Sequence, residues 1–107
     1  MGTKRFFGAA AIVVALATAF ATPVFAQTQE QIDQAFLTAL RDRGVPVKDD
    51  AEALELAHAT CDLLNDGGSL DGALQLIRST EKKWSQEDAV NFGGLAVYAY
   101  CREHLPE

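Results

Sequence analysis

From residue 29 onward, apolar side chains recur every three or four positions instead of alternating, which is the spacing of helices with one buried stripe. Gly and Pro fall between these runs, where helices end. The pattern predicts four helices. The first covers about 29–43, with Ile32, Phe36, Ala39 and Leu40 on one stripe; Gly44 is placed to cap it and Pro46 forbids an early restart. The second starts at Asp49 or Asp50, whose carboxylate can accept the free N–H groups of a first turn, and runs to about residue 65. Leu54, Ala57, Cys61 and Leu64 share its inner face, and Asp66-Gly67-Gly68 stops it.

Ser69 caps the third helix, in which Leu70, Ala73, Leu74 and Ile77 form the cleanest amphipathic stripe before it fades near Lys82 or Lys83. Ser85-Gln86-Glu87-Asp88 has the form of a capping box and opens a fourth helix reaching about His104. Between Ala89 and Cys101 this helix is apolar on most of its circumference yet too short to span a bilayer, so it is expected at the centre of the bundle. Gly93 and Gly94 each cost about 1 kcal/mol of helix propensity, which makes sense where a neighbouring helix comes close. Val90, Gly94, Val97 and Cys101 lie along one edge, expected to face the second helix.

The first residues follow a different pattern. Lys4 and Arg5 precede an apolar run over 6–20 and a small-residue segment over 21–26 that Pro23 interrupts. That order is the order of a secretory signal peptide, in which the positive end stays inside while the apolar stretch enters the membrane. Val24 and Ala26 supply small side chains for a peptidase, which places cleavage after Ala26. The 21 residues from Phe6 to Ala26 are also long enough to span a bilayer as a retained anchor, but an anchor needs neither the breaker nor the small residues. Gln27 in place of a cysteine disfavours a lipid anchor, and Lys4-Arg5 lacks the paired arginines of the twin-arginine route. The chain thus divides into a signal peptide, 1–26, and one helical domain, 27–107.

A domain of this size buries only about 60% of the surface its unfolded chain exposes, so a covalent tie matters. Export to an oxidising compartment makes a disulfide between Cys61 and Cys101, the two cysteines of the chain, the expected tie. All fifteen acidic residues and seven of the nine basic ones follow Gln27, giving the domain a net charge of −8. Such a surface repels phosphate backbones and anionic headgroups, which argues against nucleic acid and against polybasic membrane attachment.

Candidate chemistry is sparse. His58, Cys61 and Asp62 share one helical face, and Cys101 and His104 could complete a zinc site, but two thiols in an exported domain are the material of a disulfide. A cysteine nucleophile would need an exposed thiolate in an electropositive setting, which apolar faces of an acidic domain do not provide. Asp49-Asp50 and Glu87-Asp88 sit at helix starts, where the helix dipole accounts for them. Gly67-Gly68 before Ser69 lacks the strand and the Gly-Lys-Ser or Gly-Lys-Thr of a phosphate loop. Trp84, Phe92, Tyr98 and Tyr100 are the aromatics available for recognition; core packing suits Phe92 and Tyr100, leaving Trp84 and Tyr98 as the candidate partner surface.

Phe36-Leu37 with Leu40 and Gly44, Ala57 to Cys61 with Leu64 and Gly67 or Gly68, and Ser85 and Ala89 before Phe92, Ala96 and Tyr100-Cys101 follow one another in a distinctive order. In that order, behind a signal peptide, the chain resembles a family of small exported helical domains of unknown function, abundant in mycobacteria and related actinobacteria. The resemblance implies export, an all-helical fold and a disulfide between Cys61 and Cys101, and it implies no activity. Members commonly carry Pro directly after the last cysteine; Arg102 stands there, which predicts a final helix one turn longer than in relatives.

The sequence therefore predicts an all-α fold, a small four-helix domain with one disulfide linking the second and fourth helices, preceded by a signal-peptide helix. It predicts a monomer of the secreted fraction or cell envelope, without catalytic, metal or cofactor residues and without stable membrane insertion after signal cleavage. Its expected role is a non-enzymatic interaction or binding module for a protein partner. The first alternative is a carrier holding a small apolar ligand in a core cavity lined by Ile32, Phe36, Leu74, Ile77 and Phe92; an enzyme, with His58 or His104 beside carboxylates in a cleft, is the second. Mass measurement of exported protein should find a chain starting at Gln27 and two hydrogens lighter than its reduced form; intact Met1, or thiols that alkylate without reductant, contradicts this reading.

Overall fold

The computed structural model describes residues 27–106; residues 1–26, on which the signal-peptide reading falls, lie outside them. Four helices follow one another: α1 (Gln29–Asp42), α2 (Asp50–Asn65), α3 (Leu70–Thr80) and α4 (Gln86–Tyr100), with a closing 3-10 turn at Arg102–His104. Each start has a side chain that accepts an N–H of the first turn. Thr28 and Ser85 form capping boxes with Gln31 and Asp88, and Asp49 and Ser69 cap α2 and α3 alone.

The stops are equally local. Gly44 and Gly67 take φ of 77° and 97°, the left-handed conformation in which a side chain is strained. At α1, the N–H groups of Gly44 and Val45 return to the carbonyls of Arg41 and Leu40; at α2, those of Gly67 and Gly68 return to Leu64 and Leu63. These are paired Schellman bonds, and the buried Val45 and Leu40 supply the apolar contact that accompanies the motif. Helix α3 ends at Thr80, short of Lys82. The hydroxyls of Ser79 and Thr80 both donate to the Leu76 carbonyl, and the chain leaves the helix at Glu81.

Helix α4 packs against α1, α2 and α3, which makes it the centre of the domain as its apolar composition predicts. Its inward face is Ala89, Phe92, Ala96 and Val97. The edge expected against α2 does not hold along its length: Val97 and Cys101 are buried, but Val90 is 52% exposed and Gly94 opens to solvent. The helix is rotated so that the larger Phe92 and the small Ala89 and Ala96 fill the interior.

Phe92 meets Phe36 of α1 edge-on with ring centres 5.6 Å apart, and Phe36 meets Tyr100 in the same way at 5.4 Å. On its other side Phe92 lies 5.2 Å from Trp84. Trp84 closes the bottom of the core, its Nε1 donating to the Pro46 carbonyl at 3.3 Å.

A second cluster forms around sulfur. Cys61 of α2 and Cys101 are bonded, with Leu64, Ala73 and Val97 packed about them. The expected longer final helix is not found: α4 stops at Tyr100 and Cys101 leaves helical geometry. Two tethers hold the chain there in a tighter turn. One is the disulfide; the other is His104, whose N–H bonds to the Cys101 carbonyl and whose Nε2 lies 2.8 Å from Oδ1 of Asn65 on α2.

The disulfide closes a loop of 40 residues, which in the chain-entropy account contributes about 4 kcal/mol. Cys61→Ala should therefore lower the melting temperature by about 15 °C or more; an unchanged melting curve shows that the bond is not structural.

Candidate functional site

Aromatic rings occupy the middle of the bundle, and a groove lies on its flank. Between α3 and α4 runs a groove of about 240 Å³, with Ala73, Leu74 and Ile77 on one wall and Ala89, Val90, Gly93 and Gly94 on the other. Leu105 and Pro106, beyond the disulfide, close one end. Two exposed apolar side chains stand at its rim, Leu70 at 48% and Val90 at 52% exposure. Leu70 is the residue of the α3 stripe that the sequence places inward and the fold does not bury.

The adjacent glycines have different roles. A Cβ on Gly93 would stand 3.3 Å from Cδ1 of Ile77, so this glycine lets α3 approach. A Cβ on Gly94 would meet nothing within 4 Å. Gly94 is instead a gap in the outer stripe of α4, between Val90 one turn before it and Tyr98 one turn after. Through that gap the groove joins a second hollow of about 380 Å³, lined by Arg43, Asn91, Leu95 and Tyr98 and sharing Val90, Gly94 and Leu105 with the first. Arg102 lies over the Tyr98 ring, its guanidinium carbon 4.2 Å from the ring centre and its Nε donating to the Tyr98 carbonyl.

The expected partner surface of Trp84 and Tyr98 is divided by the fold. Tyr98 is 55% exposed, whereas Trp84 is 8% exposed and belongs to the core, because its ring seals the base of the bundle against Phe92. Of the five residues expected to line a carrier cavity, Leu74 and Ile77 line the groove, while Phe36 and Phe92 pack on each other. Sequence reasoning missed Leu70, Val90, Gly94 and Leu105 as surface. The recurrence of Val90, Gly94 and Tyr98 at intervals of four was the available signal, hidden because the helix is apolar on both sides.

The other chemical candidates have structural partners. Cys61 and Cys101 are consumed by their bond, and His104 faces Asn65. His58 stacks on Tyr100 with ring centres 4.6 Å apart. Asp49 caps α2, while Asp50 pairs with Arg41 at 2.5 Å across the turn from α1. Among the described residues no three His, Cys, Asp or Glu side chains gather as metal ligands, and no helix is long and apolar enough to cross a membrane.

The family model of DUF732, a protein of unknown function, matches residues 32–103. The chain belongs to the DUF732 family. It is similar to the uncharacterized protein Mb1323c of Mycobacterium bovis and to the uncharacterized protein MT1330 of Mycobacterium tuberculosis, 32% identical to each over 73 residues. The alignment covers 68% of this chain and 65% of each relative, so the chain spans about two thirds of their length. No solved structure matches the chain.

The match over this DUF732 domain takes in all four helices almost entirely, and with them a polar contact that fixes the α1–α4 crossing. Tyr100 donates its phenolic hydrogen to Oδ1 of Asp33, both side chains half-buried. Burial first, then this hydrogen bond and the negative charge of Asp33, raise the Tyr100 hydroxyl well above its ordinary value. A phenol that ionises more readily unfolded than folded supports the fold fully below pH about 10, and that support is lost as pH rises beyond it. Tyr100→Phe in the DUF732 domain should cost about 1 to 2 kcal/mol at neutral pH and flatten the loss of stability above pH about 10. Denaturant titrations across that range check both; an alkaline limb of unchanged steepness in the variant assigns the effect to other groups.

Proposed function

We propose that this protein is a non-enzymatic binding domain acting outside the cytoplasm, and that its binding surface is the apolar groove between α3 and α4. The groove carries the reading. It is larger than the ~150 Å³ cavity that suffices to hold benzene, and its rim leaves Leu70 and Val90 to water in a domain otherwise able to bury its apolar stripes. Exposed apolar side chains beside a concave surface are where ligands and partners gain most from leaving water.

Two further observations favour binding over chemistry. His104 lies against Asn65 and the His58 ring against Tyr100, Asp49 and Asp88 accept backbone N–H groups, and Asp50 pairs with Arg41. The leader-like first residues and the buried disulfide favour a place beyond the cytoplasmic membrane, where thiols oxidise and stay oxidised.

A neutral fluorescent naphthylamine should bind the oxidised protein, and Gly94→Leu, which fills the gap in the outer stripe, should weaken that binding by about tenfold or more. Gly94→Leu should not lower the melting temperature, since the position is open and Leu is the better helix former. A protein that leaves the probe dark, or a variant that binds as the parent does, removes the groove as the binding surface.

A further inference from the structure

We infer that the groove and the neighbouring hollow together bind a free, single-chain amphiphile with a carboxylate head, its tail across Gly94 and its charge beside Arg43 and Arg102. This rests on the groove being the binding surface and adds the chemistry of what enters it.

The tail follows from shape. The two hollows share Val90, Gly94 and Leu105, and the missing side chain at Gly94 makes one continuous path between them. By proportion to a ~150 Å³ cavity filled by benzene, the 240 Å³ groove suits about ten carbons of one chain. One such tail fills the groove, and the 380 Å³ hollow remains for the head.

The head follows from charge. After Gln27 the chain has only seven basic residues against fifteen acidic ones. Arg41 with Asp50 is the one ion pair among the described residues. Arg43, Arg78 and Arg102 have no carboxylate within 4.0 Å there, and of these three Arg43 lines the second hollow. Arg102 is held above Tyr98, which lines it too, with its Nε occupied by the Tyr98 carbonyl and its terminal nitrogens without an acidic partner. Two unpaired guanidiniums at the polar end of an apolar path complement an anionic head, and the planar fork of Arg suits a carboxylate. The surrounding net charge of −8 disfavours a multiply charged head, and it disfavours docking on an anionic bilayer.

Titration calorimetry at low ionic strength, using monomeric decanoate, decanol and decyltrimethylammonium on the oxidised protein, tests this. Decanoate should bind about tenfold more tightly than decanol, and the ammonium more weakly than either. Arg43→Gln with Arg102→Gln should bring decanoate down to the level of decanol and leave decanol unchanged. Arg43→Gln alone should remove part of the preference, and it bears on a side chain without a hydrogen bond or ion pair among the described residues. Decanoate and decanol binding equally, or a preference that survives both substitutions, overturns the carboxylate head while leaving the groove in place. Binding of neither, together with a dark naphthylamine, overturns the groove and this inference with it. Sedimentation with phosphatidylglycerol vesicles in the absence of decanoate binding would assign the surface to a bilayer and overturn the free amphiphile.

Discussion

The bond between Cys61 and Cys101 sets the geometry on which the remainder of the domain depends. It joins the middle of α2 to the residue at which α4 ends, across a 40-residue loop that contains the whole of α3. Closing that loop covalently offsets about 4 kcal/mol, a small part of the conformational entropy but a large share of the net stability of so small a domain. It also fixes where the last residues go. With Cys101 held at α2 and His104 against Asn65, the chain turns back and places Leu105 and Pro106 at the end of the α3–α4 groove. A structural tie thereby also shapes the wall of the groove.

The non-covalent half of the core is organised by a few large rings. Trp84, Phe92, Phe36 and Tyr100 touch in sequence from the base of the bundle to the disulfide end, and His58 of α2 continues the series. Their neighbours on α4 are mostly alanines, so α1 and α2 come near to that helix while the rings fill what remains. This division sets the rings on the α1 and α2 side of α4. It also leaves α3, the shortest helix, with only Ala73 and Ile77 fully buried, and the groove opens where α3 fails to cover α4.

Local signals carried most of the fold into the sequence. Ser69, Ser85 and Asp49 cap where their side-chain oxygens fall just before an apolar run, and Gly44 and the Gly67-Gly68 pair stop helices because left-handed backbone is inexpensive only for glycine. The pairing of Cys61 with Cys101 was legible from number and setting alone. What was not legible was rotation. Helix α4 has apolar residues on nearly every side, so periodicity cannot tell Ala96 and Phe92, which go in, from Val90 and Tyr98, which stay out. Trp84 was misplaced for a related reason: between two helices no periodic face exists, and its burial depends on the Pro46 carbonyl, 38 positions earlier. The end of α4 was set by tethers to α2, which composition near Arg102 does not reveal.

With Ala89, Phe92, Ala96 and Val97 turned inward, Val90 and Tyr98 are left at the surface, where the sequence could have placed polar residues. It has instead Val90, Gly94 and Tyr98 in succession, with a glycine that costs about 1 kcal/mol in helix propensity where no neighbouring atom requires one. At Gly93 the approach of Ile77 explains the glycine; at Gly94 only open space is gained. An unfilled position on an apolar outer stripe, in a hollow that Arg43 also lines, is a feature that the packing of α4 against its neighbours does not require.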